Sequence, residues 1–213
     1  MVGIAASSFS ILRLLFGSQW TPATPYMMLA CFTFALWPFH TINLRGIMAL
    51  GRSDVFLKLE IVKKSLIIVV LLSSFRLGVL PWMTISAFVI GPLGVIVNAW
   101  PNRKLLNYTI SMQLRDVMPT ILLCFAEAIV LLGISILMNF MRPMFAVAQE
   151  GASLMVFLSV KLILQFIFGA GVFFGLAYIF RLKPMGEYAR MGAVVIRGKS
   201  PRLAAVLESR FAV

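Results

Sequence analysis

The sequence predicts an all-α, polytopic integral membrane protein with about five full transmembrane helices and a partial one at its start. Three observations predict it. Of the 213 residues, 61% are hydrophobic and 12% charged, at a mean hydropathy of +0.99, whereas soluble domains run near 45–50% and about 25%. The apolar residues fall in blocks long enough to cross a hydrocarbon core of roughly 30 Å, which takes about 20 helical residues. Almost all of the 19 Lys and Arg lie between those blocks. A net charge of +12 would suit nucleic acid only if the basic residues shared a wet face with interleaved aromatics, so no nucleic-acid partner is expected. Cys31 and Cys124 lie inside apolar blocks with no CxxC or His neighbour, which supports neither a disulfide framework nor a zinc site.

Residues 1–16 are apolar with one arginine. Arg13 follows the apolar residues instead of preceding them, and Leu14-Leu15-Phe16 stands where a signal peptide would carry small residues, so the stretch reads as the end of a transmembrane helix. The chain is therefore expected to begin inside a larger architecture. Residues 17–180 form the membrane lobe, opening on the turn-rich Gly17–Pro22. The spans are expected at about 24–50, 54–75, 77–100, 117–141 and 152–180. Pro38 is expected to kink the first of these. Gly51-Arg52-Ser53-Asp54 breaks the chain, and Ser53 or Asp54 can cap the helix that follows. That helix carries Lys58, Glu60, Lys63 and Lys64 and is charge-free only from Ser65 to Phe75, so it should project beyond the hydrocarbon. Leu77 to Trp100 is free of charge and should bend near Gly91-Pro92. Residues 181–213 form a basic tail in which Ser200-Pro201 precedes a short amphipathic helix ending near Phe211.

Basic residues are retained in the cytoplasm. Fifteen fall on the side holding the Gly51–Asp54 turn, the Trp100–Arg115 loop and the tail; three, Arg13, Arg76 and Arg142, fall on the other. The first side is therefore placed in the cytoplasm, the C-terminus with it.

Lys161 lies deep within a span, as does Glu127. An ionisable residue there faces a partner or a wet cavity. Each is roughly 14 Å inside its span by helical rise, so adjacent antiparallel helices would bring them together. They are expected either to lie in a transport path, Lys161 drawing an anionic head group and Glu127 coupling to an ion, or to lock two helices as a static pair; a lysine snorkelling from a misplaced helix start is the third reading. His40 and Asn43 share a helix face and Arg45 lies off it, which makes a cytoplasm-facing polar patch or an ordinary interfacial cluster. Arg52, Lys58, Lys63 and Lys64 can attract lipid phosphates, although retention inside explains them equally. With one histidine and no HExxH, GxSxG or P-loop, no enzyme, cofactor or metal is expected.

Two motifs carry a resemblance. Leu14 to Tyr26 resembles the outward turn of polysaccharide flippases, LLFG-x-x-W-x-x-A-x-P-Y. Gly51 to Lys64, GRSDVFLKLEIVKK, closely resembles the GRSDLFLKLEIIKK signature of lipopolysaccharide and exopolysaccharide biosynthesis exporters, with only conservative differences. Leu105–Tyr108 and Gln113–Pro119 fit that family's cytoplasmic loop more weakly. These exporters belong to the multidrug/oligosaccharidyl-lipid/polysaccharide exporter superfamily. The resemblance implies a MATE-like transporter fold of which this chain is the C-terminal lobe, a fragment completed by an N-terminal lobe or a second chain. It implies flipping of a polyprenyl-pyrophosphate-linked oligosaccharide across the bacterial inner membrane, with Arg45, Arg52, Lys63 and Lys161 attracting the pyrophosphate or sugar acids. The competing expectations are an ion-coupled multidrug exporter of the same superfamily, using Glu127, and a non-transporting assembly subunit. A glycan polymerase or ligase would need a large outward loop, and Met141–Gly151 is short.

Overall fold

The computed structural model describes residues 1–144 and 151–180. Every regular element among them is helical. Four helical stretches, Ser18–Ala49, Val79–Leu105, Ile110–Met141 and Ala152–Ile179, are long and apolar enough to cross a membrane, and Val2–Phe16 is a shorter apolar helix. The expected basic tail with its amphipathic helix, and most of the Met141–Gly151 connection, lie outside the described residues.

Helix α1 (Val2–Phe16) stops at Gly17, whose φ of 87° and ψ of −177° only glycine adopts readily. A 3₁₀ turn, Ser18–Ala23, leads into α2 (Thr24–Ala35) with Pro25 in its first turn, where a missing N–H costs nothing. Pro38 has no N–H for the carbonyl of Phe34, so the helix breaks two residues earlier, Leu36 N–H turning to Thr33 O at 3.2 Å, and resumes as α3 (Trp37–Ala49). The end of α3 shows what the GRSD sequence does. Gly51, at φ 69°, donates to Met48 O at 2.9 Å while Arg52 N–H reaches Ile47 O at 3.2 Å, a Schellman closure. Arg52 then grips Asp54 with both ends of its guanidinium fork, at 2.9 and 3.0 Å.

Helix α4 (Ser53–Ser74) carries the four charges anticipated for it and falls outside the four clear membrane helices. The next span is compound: α5 (Val79–Ile85), a π-helical turn at Ser86–Ile90, and α6 (Gly91–Ala99). Pro92 leaves the Phe88 carbonyl without its α-helical donor, and the wider turn, with Gly91 N–H on Ser86 O, absorbs the irregularity. The bend expected near Gly91-Pro92 is thus a π-turn. After the short α7 (Asn102–Leu105), α8 (Ile110–Met141) begins seven residues before the expected 117, because Thr109 caps it by accepting from Met112 N–H at 3.3 Å. Helix α9 (Ala152–Ile179) returns against it.

Two packed groups result. Helices α1, α8 and α9 form one; α2–α3, α4 and the α5–α6 span form the other, and α1 bridges to α2. The two kinks meet, since a Cβ on Gly91 would lie 3.1 Å from Leu36 Cδ1. Polar and apolar surfaces are arranged as a bilayer requires. Phe140 and Phe166 are 80% and 76% exposed, while Asn43, Asn98 and Gln165 are at most 2% exposed. In hydrocarbon an outward phenylalanine costs nothing and an outward amide loses its hydrogen bonds. The chain is a membrane protein.

Candidate functional site

The sequence-predicted residues separate into three places. The first is an amide cluster where α3, α7 and α8 meet. Asn43 Nδ2 donates to Phe39 O and to Gln113 Oε1, both at 2.8 Å; Gln113 Nε2 returns a bond to Asn43 Oδ1 at 2.9 Å. Asn102 Nδ2 adds bonds to Asn43 Oδ1 at 2.7 Å and Asn43 O at 3.0 Å. Asn43 thereby fills both donor and both acceptor positions of its side chain. It ties three elements together and is not open to a ligand. His40, one turn earlier on α3, stands over Gly94, where an added Cβ would come within 3.0 Å of its Cε1, and its Nδ1 lies 2.9 Å from Asn98 Nδ2. Arg45 is exposed off this face, as its spacing predicts. Sequence reasoning missed Asn98, Asn102 and Gln113. The signal was available: Asn98 and Asn102 are four residues apart, the spacing of one helix face, and Asn98 is an amide in a span otherwise nearly free of polar groups. Below the cluster, Tyr108 donates to Asp116 at 2.7 Å, a bond that raises the phenol's pKa, with burial adding to it.

The second place is a polar seam among α1, α8 and α9. Lys161, 7% exposed, donates to Asn139 Oδ1 at 3.4 Å. One turn along α9, Gln165 donates to Ser135 at 2.9 Å and accepts from Ser7 at 3.1 Å. A further turn brings Gly169 against Leu131, at 3.1 Å from an added Cβ. Each step of four on α9 matches a step of four on α8 in the opposite direction. Glu127 lies beyond the end of this ladder, its Oε1 3.2 Å and 3.6 Å from where a Cβ on Gly3 and on Gly169 would be. These glycines let three helices close around the carboxyl.

That register corrects the expected juxtaposition of Glu127 with Lys161. Lys161 is level with Asn139, twelve residues from Glu127, or roughly 18 Å along α8. Counting inward from helix ends put both near one depth, but α9 starts beyond the end of α8, so nine residues into α9 reaches only the last turn of α8. Glu127 belongs to no ion pair among the described residues.

The third place is a cleft of about 260 Å³ between α2–α3, α4 and the α5–α6 span. Its walls include Val62, Leu66, Ile67 and Val97; Lys63 and His40 are the titratable groups on it. Lys63 pairs with Glu60 one turn back on α4, and both side chains are mostly covered. Trp82 lines the cleft too, its buried indole N–H without an acceptor among the described residues. Arg52, by contrast, is spent on Asp54 at the exposed turn.

No cluster of His, Cys, Asp or Glu suited to a metal occurs among the described residues. No family model, curated protein or solved structure matches the chain.

Proposed function

We propose that the chain acts in moving a polyprenyl-pyrophosphate-linked oligosaccharide from the cytoplasmic to the outer leaflet of a bacterial inner membrane, without covalent chemistry. The observation that carries this reading is the Gly51–Lys64 segment, which resembles the signature of polysaccharide exporters over fourteen residues. In this reading the chain is the C-terminal lobe of a MATE-like transporter, α4 is one of its five full spans, the tail is cytoplasmic, and an N-terminal lobe or second chain completes the path. Arg45 and Lys63 are the cations to meet the pyrophosphate: Arg45 is exposed, and Lys63 lies on the cleft. Arg52, held by Asp54, shapes the turn, and Asn43 and His40 brace the helices. Lys161 serves at the level of the last turn of α8.

The test is allelic replacement in the producing cell. Lys63→Ala and Arg45→Ala each lower surface glycan about fivefold to tenfold, the scale of one charged contact, with protein level unchanged, while Lys104→Ala does not. Unaltered glycan in both variants removes these residues from the path. One observation favours a second reading, a drug exporter coupled to an ion: Glu127 is closed in by three helices with no paired cation among the described residues. Drug resistance that depends on a proton or sodium gradient and is lost in Glu127→Gln would select it.

A further inference from the structure

The chain's one histidine lines the cleft, and the amides behind it decide which ring nitrogen turns a lone pair outward. The His40 ring lies on the bare backbone of Gly94, where an added Cβ would come within 3.0 Å of Cε1. Its Nδ1 points to Asn98 of α6, whose Nδ2 is 2.9 Å away, and its Nε2 has no partner among the described residues. Behind this contact are two stranded acceptors. Asn98 is 0% exposed and Asn102 1%, and the Oδ1 of each has no donor among the described residues. Trp100 and Pro101 keep helical backbone between them, at φ −55° and −66°, so the two side chains are one turn apart on one face.

Half a turn of the Asn98 amide gives both oxygens a donor. The turn exchanges an oxygen and a nitrogen of nearly equal size, so it needs no extra room. Oδ1 then stands at the 2.9 Å contact and accepts from Nδ1, while Nδ2, carried to the place Oδ1 leaves, donates along the helix face to Asn102 Oδ1. Asn102 cannot turn to relieve itself. Its Nδ2 holds Asn43 O at 3.0 Å and Asn43 Oδ1 at 2.7 Å, and both of these oxygens only accept. Buried acceptors left without donors are costly, so the turned amide, with the imidazole proton on Nδ1, is the favoured arrangement. A neutral imidazole carries one N–H, which leaves Nε2 bare.

We propose that His40 keeps its proton on Nδ1, donated to the carbonyl of a turned Asn98, and that Nε2 is a proton-binding atom on the wall of the cleft. The ligand of this site is a proton, and the site stands whether or not the chain moves a glycan. Charging the ring strengthens its bond to Asn98. It also polarises a chain of amides that runs from Asn98 through Asn102 and Asn43 to Gln113 on α8. The charges around the ring permit this. From α4 it meets Lys63 and Glu60, which pair with each other. The span from Leu77 to Trp100 is free of charge, and so is α2, whose Cys31 lies nine residues before His40. Arg45 of α3 and Arg103 and Lys104 of α7 are exposed.

Nitrogen-15 NMR of the purified full chain, labelled on histidine, tests the proposal, because His40 supplies every histidine signal. As pH rises, the wild type loses the proton from Nε2 and keeps the one on Nδ1. Asn98→Leu removes the acceptor and lowers the titration midpoint by about half to one pH unit, the margin of a hydrogen bond to a charged ring over one to a neutral ring. Asn98→Asp, whose carboxylate accepts from Nδ1, raises it. Helical circular dichroism checks that each variant is folded, and should Asn98→Leu not fold, the wild-type spectrum decides. A neutral ring with its proton on Nε2 and Nδ1 bare overturns the proposal. So does a midpoint that stays or rises in Asn98→Leu, the result expected if Asn98 donates to Nδ1. A ring that takes up no proton over the range in which the chain stays folded overturns the proton site.

Discussion

Asn43 is the residue on which three helices depend, and its environment sets its cost of removal. Replacing it with alanine leaves the side-chain amides of Gln113 and Asn102 short of partners, and an unsatisfied buried group costs about 1–3 kcal/mol; polar contacts in membrane helices average nearer 0.6 kcal/mol. Asn43→Ala is therefore expected to lower the midpoint of thermal unfolding in detergent, followed by helical circular dichroism, by several degrees. Lys104→Ala, at an exposed position of α7, is the control. An unchanged midpoint in Asn43→Ala would show that the amide cluster is dispensable. The identity of Asn43 as a special residue was readable from its place in an apolar helix, but its role was not. A helix-face argument sees only neighbours three and four residues away, and the partners that complete Asn43 come from positions 102 and 113. Lys161 teaches the same thing: its burial followed from its block, and its partner, Asn139, followed only from the packing of α8 on α9.

At the scale of elements, what was legible depended on whether the cause was local. The Pro38 kink and the bend at Gly91-Pro92 follow from missing N–H groups within one turn, and both are present. The start of α8 was misread because Thr109 caps a polar first turn ahead of the apolar block, and hydropathy alone sees only the block. That error of seven residues, together with the unequal ends of α8 and α9, is why Glu127 and Lys161 were expected to meet. The register makes a direct prediction. A cysteine pair at Asn139 and Lys161, in a background with Cys31 and Cys124 replaced, forms a crosslink with a short bifunctional reagent, whereas a pair at Glu127 and Lys161 does not, as mass spectrometry of the digested protein would show. Crosslinking of the second pair in preference to the first would overturn the antiparallel ladder of Lys161, Gln165 and Gly169 on Asn139, Ser135 and Leu131.

For the molecule as a whole, composition and block length led to a helical membrane protein, and four apolar helices of sufficient length bear that out. The physical reason is that hydropathy acts over whole spans and needs no knowledge of partners. Helix α4 stayed ambiguous for the same reason: four charges in its first half lower its average, whichever way its apolar half lies. The inverted surface, with amides inside and phenylalanines outside, is the whole-molecule counterpart of the polar seam and the amide cluster. The proposed function rests on a shorter stretch of sequence, in which Gly51 closes a helix, Arg52 and Asp54 pin the turn, and Lys63 lines the cleft. The most direct measurement of the central proposal is the leaflet distribution of lipid-linked oligosaccharide in cells lacking the gene. The account predicts that the lipid-linked glycan accumulates on the cytoplasmic leaflet and that surface polysaccharide falls, both restored by the reintroduced gene. Unchanged leaflet distribution and surface polysaccharide in the deletion strain would contradict it.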